Sequence, residues 1–265
     1  MTIQFRTFLI VGIMISSLRL SYAQLDFAHE VGVFAGPVAF QSDFGLDGDS
    51  KLTTSITGFS VGIMHYVNFS YKADCGCYAR NTFFNNHFKL RSEISFNRSV
   101  LEHEGNFENE TPEDQERLRA HTAEVQNIDL GVQLEFYFKN NREFSNAKFG
   151  FNPFISAGFH YVSFTPRVKT TYNNGDSEDP LNFYSVWERA SDGDDFLSSQ
   201  SASTWSYVVN LGTRFKIARL SDLFVEVRYQ QYFDDFMDGL NPNLPSNTKN
   251  DGLLWFNFGY IYYIN

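Results

Sequence analysis

The chain has 265 residues and a formal net charge of −10. That balance, with no basic cluster, excludes a nucleic-acid-binding surface, and no apolar run of about 18 residues exists to cross a membrane as a helix. A mean hydropathy of −0.30 would suit a water-soluble protein, yet alternating strands average to the same value, so it excludes no β-barrel.

Residues 1–23 read as a secretory signal peptide. Arg6 supplies the charged start, Phe8 to Leu18 the apolar stretch, and Ser21-Tyr22-Ala23 a small-x-small cleavage site before Gln24. Eleven apolar-region residues are too few to span a bilayer as a helix. Residues 24–265 are then one exported domain.

That domain reads as eight strands. The first covers about 29–41 and the second about 57–69. The third, about 87–98, has Phe88, Leu90, Ile94 and Phe96 on one side and Lys89, Arg91 and Glu93 on the other. The fourth, about 124–138, sets Ile128, Leu130, Val132, Leu134 and Phe136 against Asp129, Gln133 and Glu135. The fifth is about 148–164. The sixth, about 204–217, sets Trp205, Tyr207, Val209, Leu211 and Phe215 against Asn210, Arg214 and Lys216. The seventh, about 223–233, sets Leu223, Val225, Val227 and Tyr229 against Glu226, Arg228 and Gln230. The eighth starts at Leu253 and carries Leu254, Phe256, Phe258, Tyr260, Tyr262 and Ile264 on one face.

Period two makes each segment a strand, and a wholly apolar face must be buried in something. The strands are about ten or more residues long, enough to cross a membrane at a tilt. The 29 Phe and 14 Tyr suit aromatic girdles at two membrane interfaces. The expected fold is all-β: an eight-stranded antiparallel transmembrane barrel of the outer-membrane type. The aromatic terminal strand is the expected recognition signal for the barrel-assembly machinery. A soluble, lipocalin-like barrel would have the opposite polarity, with apolar faces inside.

The connections 42–55, 99–123, 165–203 and 234–251 are long and hold almost all the acidic excess; 139–147 and 218–222 are short. Long loops belong outside the cell and short turns in the periplasm. Lys89, Arg91, Glu93, Asp129, Glu135, Arg214, Lys216, Glu226 and Arg228 point inward on this reading. So small a barrel is filled by side chains, so these charges should pair into a plug and leave no conduction path.

Segment 70–86 is long for a periplasmic turn. It holds the two cysteines, Cys75 and Cys77. In an oxidising compartment a disulfide between them is the default, closing a tight turn. Two further readings are a docking point for a periplasmic partner, through Tyr71, Asp74, Cys75, Cys77, Tyr78 and Arg80, and half of a zinc set. The outer carboxylates, among them Glu102, Glu104, Glu108, Glu110, Glu113, Asp114 and Glu116, read as a solvated surface. Their functional alternative is a contact surface, or bridging to lipopolysaccharide through divalent cations. No nucleophile, acid–base or cofactor motif frames His103, His121 or the loop serines, so neither catalysis nor a cofactor or metal is expected.

The stretches His29–Gly45, Gly62–Phe69 and Asp74–Tyr78 resemble a family of uncharacterised outer-membrane barrels from flavobacteria and other Bacteroidota. More loosely, the Glu30-x-Gly32-Val33-x-x-Gly36 start is similar to PorG-like barrels of the type IX secretion machinery. That resemblance implies a non-enzymatic barrel that docks a periplasmic partner in secretion or envelope assembly.

Overall fold

The computed structural model describes residues 27–41, 56–71, 82–103, 110–187, 196–241 and 250–264. Eight strands run in chain order: β1 (Phe27–Gln41), β2 (Gly58–Tyr71), β3 (Phe88–Glu102), β4 (His121–Tyr137), β5 (Gly150–Thr170), β6 (Ala202–Ala218), β7 (Ser221–Tyr232) and β8 (Gly252–Ile264). Each pairs with its sequence neighbours, and β1 pairs antiparallel with β8, from His29 opposite Ile264 to Gln41 opposite Gly252. The sheet is therefore a closed barrel with no free edge around its girth. Among the described residues three short α-helices sit in the connections, α1 (Phe83–His87), α2 (Pro112–Ala120) and α3 (Asn141–Asn146), with one 3-10 turn at Pro180–Asn182.

Burial shows which way the barrel faces. Leu130, Leu211, Phe159 and Phe258 are all about 60% exposed, at 62%, 63%, 61% and 60%, while Lys89, Arg91, Arg214 and Arg228 are fully buried. Exposed apolar surface on this scale needs lipid around it. The soluble, inside-apolar arrangement does not apply to this part of the barrel. The chain is a transmembrane β-barrel of the outer-membrane type. No helix among the described residues is long and apolar enough to cross a membrane; the strands do the crossing.

Aromatic rings gather at both edges of the apolar belt. At the short-turn end Phe69 meets Phe84 at 5.1 Å, Phe84 meets Phe88 at 4.8 Å and Phe88 meets Phe136 at 5.2 Å. At the other edge Tyr161 meets Trp205 at 5.4 Å and Tyr207 meets Phe233 at 6.1 Å. The outward face of β8, with Phe256, Phe258, Tyr260, Tyr262 and Ile264, lies in this belt and is exposed at every one of those positions.

Three connections differ from the sequence reading. β3 runs on to Glu102, β4 starts at His121 and β5 continues to Thr170, so parts of 99–123 and 165–203 are strand. Apart from Val100 the outward residues there are polar or charged, which is why the alternation looked finished. Parity nevertheless continues: Ala123, Val125, Phe164 and Val168 point in, while Thr122, Glu124, Arg167 and Lys169 point out. The short turn 139–147 also contains α3, whose Phe144 is buried and lies under Lys216 at 5.8 Å.

Candidate functional site: a closed lumen and a folded outer end

The lumen is built from inward positions of every strand. Arg91 on β3 reaches Glu226 on β7 at 2.7 Å, and Arg228 on β7 reaches Glu93 on β3 at 2.6 Å. In an eight-stranded ring β3 and β7 stand opposite each other, so these two bridges cross the axis. Arg91 also meets Glu93 at 2.6 Å and Glu135 at 3.3 Å, and Arg228 meets Glu226 at 3.1 Å. Asn257 donates to Glu226 at 2.9 Å, and Asn210 accepts from Arg228 at 3.0 Å.

Toward the short-turn end, Glu30 takes Lys89 and Arg214, each at 2.5 Å. Arg214 lies 4.1 Å from the centre of the Tyr66 ring. Asp222 takes Lys216 at 3.2 Å and the Tyr263 hydroxyl at 2.6 Å. Tyr66 and Tyr137 both donate to Glu135. Toward the outer end, Asp129 accepts from Asn97 at 3.2 Å and Gln230 at 2.7 Å.

Five cations thus meet six carboxylates in a space with no access to water. Each charge has an opposite charge or a donor, which is the condition for its burial. The geometry joins side chains across the axis and does not line a path along it.

The inward charges named from sequence, Lys89, Arg91, Glu93, Asp129, Glu135, Arg214, Lys216, Glu226 and Arg228, all lie in this network. Two carboxylates and a histidine of the network were missed. Glu30 alternates with Val31 on β1 and could have been found by parity. Asp222 stands one residue before the expected start of the seventh strand. His160 lies on β5, within 3.6 Å of Glu93 and 3.9 Å of Asp129. Gly131 makes room for it: a Cβ there would stand 1.9 Å from the imidazole.

The turn assigned to a periplasmic partner is mostly outside the description. Tyr71 ends β2, and Asp74, Cys75, Cys77, Tyr78 and Arg80 lie outside the described residues. Among the described residues no group of three or more His, Cys, Asp or Glu could hold a metal ion.

The apolar cluster that begins in the lumen with Phe34, Met64 and Tyr66 continues above the belt as the core of the outer end. Leu101, Leu118, Val125, Phe164, Phe183, Trp187, Phe196, Met237 and Leu240 are buried together. Asp114 ties α2 to the chain segment 183–187. Its carboxylate accepts from Thr111 Oγ1 at 2.8 Å, from the Ser185 backbone at 3.2 Å, from Ser185 Oγ at 3.0 Å and from Arg117 at 3.1 Å. Burial pushes this carboxyl up, but those four donors hold it below the usual carboxylate range. Tyr184 donates to Glu110 at 2.6 Å, a second tie between the same two segments. A bridge from Leu197 to Leu240 joins the same β5–β6 connection to the β7–β8 connection, with Gly239 at φ 88° beside it.

His103 and His121 share a hydrogen bond of 3.2 Å inside this core. Phe183 stands edge-on to His121 at 4.6 Å, and Trp187 is 5.5 Å from both rings. Burial pushes His103 down from 6.5 to about 3. Outside the core, a shallow groove of about 720 Å³ runs between α2 and residues 171–182. Glu113, Glu116, Asp179, Arg117, Tyr172 and Leu181 line it, and Leu181 is 75% exposed.

The fold and its polarity define a small transmembrane β-barrel with a closed, ion-paired lumen and a folded outer end. No protein-family model and no curated protein matches the sequence. Among solved structures the chain is similar to Neisserial surface protein A, at 11% identity over 88% of this chain and 96% of that one, with a TM-score of 0.44. It is also similar to a major outer membrane protein from Thermus thermophilus (12% identity, 90% of this chain, 99% of that one, TM-score 0.42). A third is Ail, the attachment invasion locus protein of Yersinia pestis (9%, 90%, 99%, TM-score 0.39).

Proposed function

We propose that this chain is a non-enzymatic outer-membrane protein that works by contact through its outer end. One observation carries the reading: the lumen is closed by bridges between opposite strands, whereas the outer end is a built, cored structure presenting a groove. A barrel meant only to sit in the membrane needs short, plain loops. Here α2 and the segments 183–187, 196–198 and 236–241 are folded onto one another at the cost of considerable chain entropy. The mixed groove, with carboxylates around an exposed leucine, suits a partner surface carrying basic and apolar groups. The protein reaches its place through a cleaved leader at 1–23 and insertion by the barrel-assembly machinery.

The test is attachment. Cells displaying the wild type should adhere to a surface coated with a basic protein more strongly than cells displaying a Glu113→Gln, Glu116→Gln, Asp179→Asn variant. Equal attachment of the two, at equal display, ends the contact reading for this groove.

A second reading is docking of a periplasmic partner in secretion or envelope assembly, as the PorG-like resemblance implies. It is favoured by α1 at the short-turn rim, which forms the end of the segment 70–86 and where Phe83 is 66% exposed. Gentle extraction of the tagged protein from its own membrane tests it. Stoichiometric recovery of secretion-machinery subunits supports docking; recovery of the barrel alone counts against it.

A further inference from the structure

The outward faces of the strands carry five charged residues, and all five stand together. They are Arg98 and Glu102 on β3, Glu124 on β4, and Arg167 and Lys169 on β5. The outward faces of β1, β2, β6, β7 and β8 carry no Asp, Glu, Lys or Arg. The register puts the five on adjacent rows: Val100, Glu124 and Arg167 on one, Glu102, Thr122 and Lys169 on the next, and Arg98, Gln126 and Thr165 below.

Their height is set by the belt. Below the charges the outward apolar residues reach up to Phe96 on β3, Ile128 on β4 and Tyr161 on β5. Arg98 is two residues past Phe96, which at strand rise and barrel tilt is about 5 Å above the belt. Arg167 is six residues past Tyr161, about 15 Å above it by the same arithmetic. The cations therefore stand over the head-group layer at the long-loop end, on one side of the barrel only.

Their charges do not cancel. Glu124 binds Arg98 through Nε at 3.0 Å, an ion pair that competes with any outside ligand for the half-exposed guanidinium. Arg167 and Lys169 are exposed on β5; Arg167 stands directly across from Glu124 and feels its charge, and Lys169 stands across from Thr122. Exposed guanidinium and ammonium groups on β3 and β5, three cations against the two carboxylates of Glu102 and Glu124, match phosphate oxygens. A glycerophospholipid would present its phosphate near the belt edge only. A sugar-phosphate head would present groups over the whole interval from Arg98 to Arg167.

The geometry points to a binding site for a phosphorylated glycolipid of the outer leaflet, seated against the outward face of β3, β4 and β5. Arg98, Arg167 and Lys169 hold its phosphates, and Phe96, Ile128 and Tyr161 meet its acyl chains. This is independent of what the outer end contacts.

The test uses the full folded protein in detergent and native mass spectrometry with added rough lipopolysaccharide. The same glycolipid after phosphatase treatment, and phosphatidylglycerol, are the controls. Wild type should retain the phosphorylated glycolipid, and retention should fall at least about tenfold with the treated form, with phosphatidylglycerol and in the Arg98→Gln, Arg167→Gln, Lys169→Gln variant. Glu124→Gln should increase retention, a gain that misfolding cannot produce. Undiminished binding of the treated glycolipid, equal retention of phosphatidylglycerol, or a Glu124→Gln variant that binds no better would each overturn the site.

Discussion

The same strands obey opposite rules at two heights. In β4, Ile128, Leu130, Val132 and Leu134 point outward while Asn127, Asp129, Gln133 and Glu135 point inward. A few residues up the same strand, Thr122, Glu124 and Gln126 point outward while Ala123 and Val125 point inward. No bulge separates the two parts, and pairing with β5 keeps one register from His121 opposite Thr170 to Tyr137 opposite Phe154. What changes is the medium. Lipid outside favours apolar residues outward and leaves the lumen to paired charges. Water outside restores the ordinary arrangement of a soluble domain, with the apolar residues as its core. The position of the switch marks where the membrane ends.

The largest effect expected from this contrast is in the lumen. Glu226→Ala takes one carboxylate from both Arg91 and Arg228, which keep Glu93, in a lumen closed to bulk solvent, and should cost about 3–5 kcal/mol. Urea unfolding in vesicles measures it, and a loss below about 1 kcal/mol would mean that water reaches the network.

Next is a matched pair on one strand face. Leu130→Arg should cost about 2–4 kcal/mol, because it places a cation against the mid-belt lipid. Gln126→Arg, two outward positions up, should stay within about 0.5 kcal/mol. Similar costs for the two would erase the boundary drawn between them.

Acidification should separate the two regions. His103 titrates at about 3 when the outer core is folded and at 6.5 when it is not. Between those values the unfolded form takes up a proton that the folded form does not, so stability is lost as pH falls. From pH 7 to pH 5 the loss is about 2 kcal/mol for this one histidine, and it is local to the outer end. Amide exchange, corrected for intrinsic rate, should show α2 and residues 183–187 less protected at pH 5. Protection that stays constant there would remove His103 from the core's energetics.

The smallest effect is Ser185→Ala. It deletes one hydrogen bond to Asp114 and should loosen α2 by about 1 kcal/mol, with the barrel's own unfolding unchanged. A shift in barrel unfolding would show that the outer end and the lumen fold as one unit.

Sequence reading reached the part of the molecule that lies in lipid. Eight strands were legible because an outward apolar residue recurs at every second position, as in Leu254, Phe256, Phe258, Tyr260. The inward charges followed from parity with no knowledge of their partners. Nothing in the sequence says that Arg91 finds Glu226, since that contact depends on the barrel closing with β3 facing β7. The outer end was illegible for a different reason. Its strand extensions reverse the polarity pattern, so Thr122 and Ala123 look like the tail of a loop. The residues that complete the core, Phe183, Trp187, Met237 and Leu240, come from connections with no period at all. The groove likewise forms between α2 and residues 171–182, which neither segment signals alone.

The most direct test is a cysteine scan of the outward face of β4, at positions 122 to 136, in a background with Cys75 and Cys77 replaced by Ser. Each site carries a fluorophore in a reconstituted bilayer, and quenching by a brominated lipid is compared with quenching by an aqueous agent. Positions 128 to 136 should be quenched from the lipid and positions 122 to 126 from the water, with the crossover between 126 and 128. Lipid quenching that runs through to position 122, or aqueous quenching at position 130, would contradict the change of medium that explains both halves of the strand.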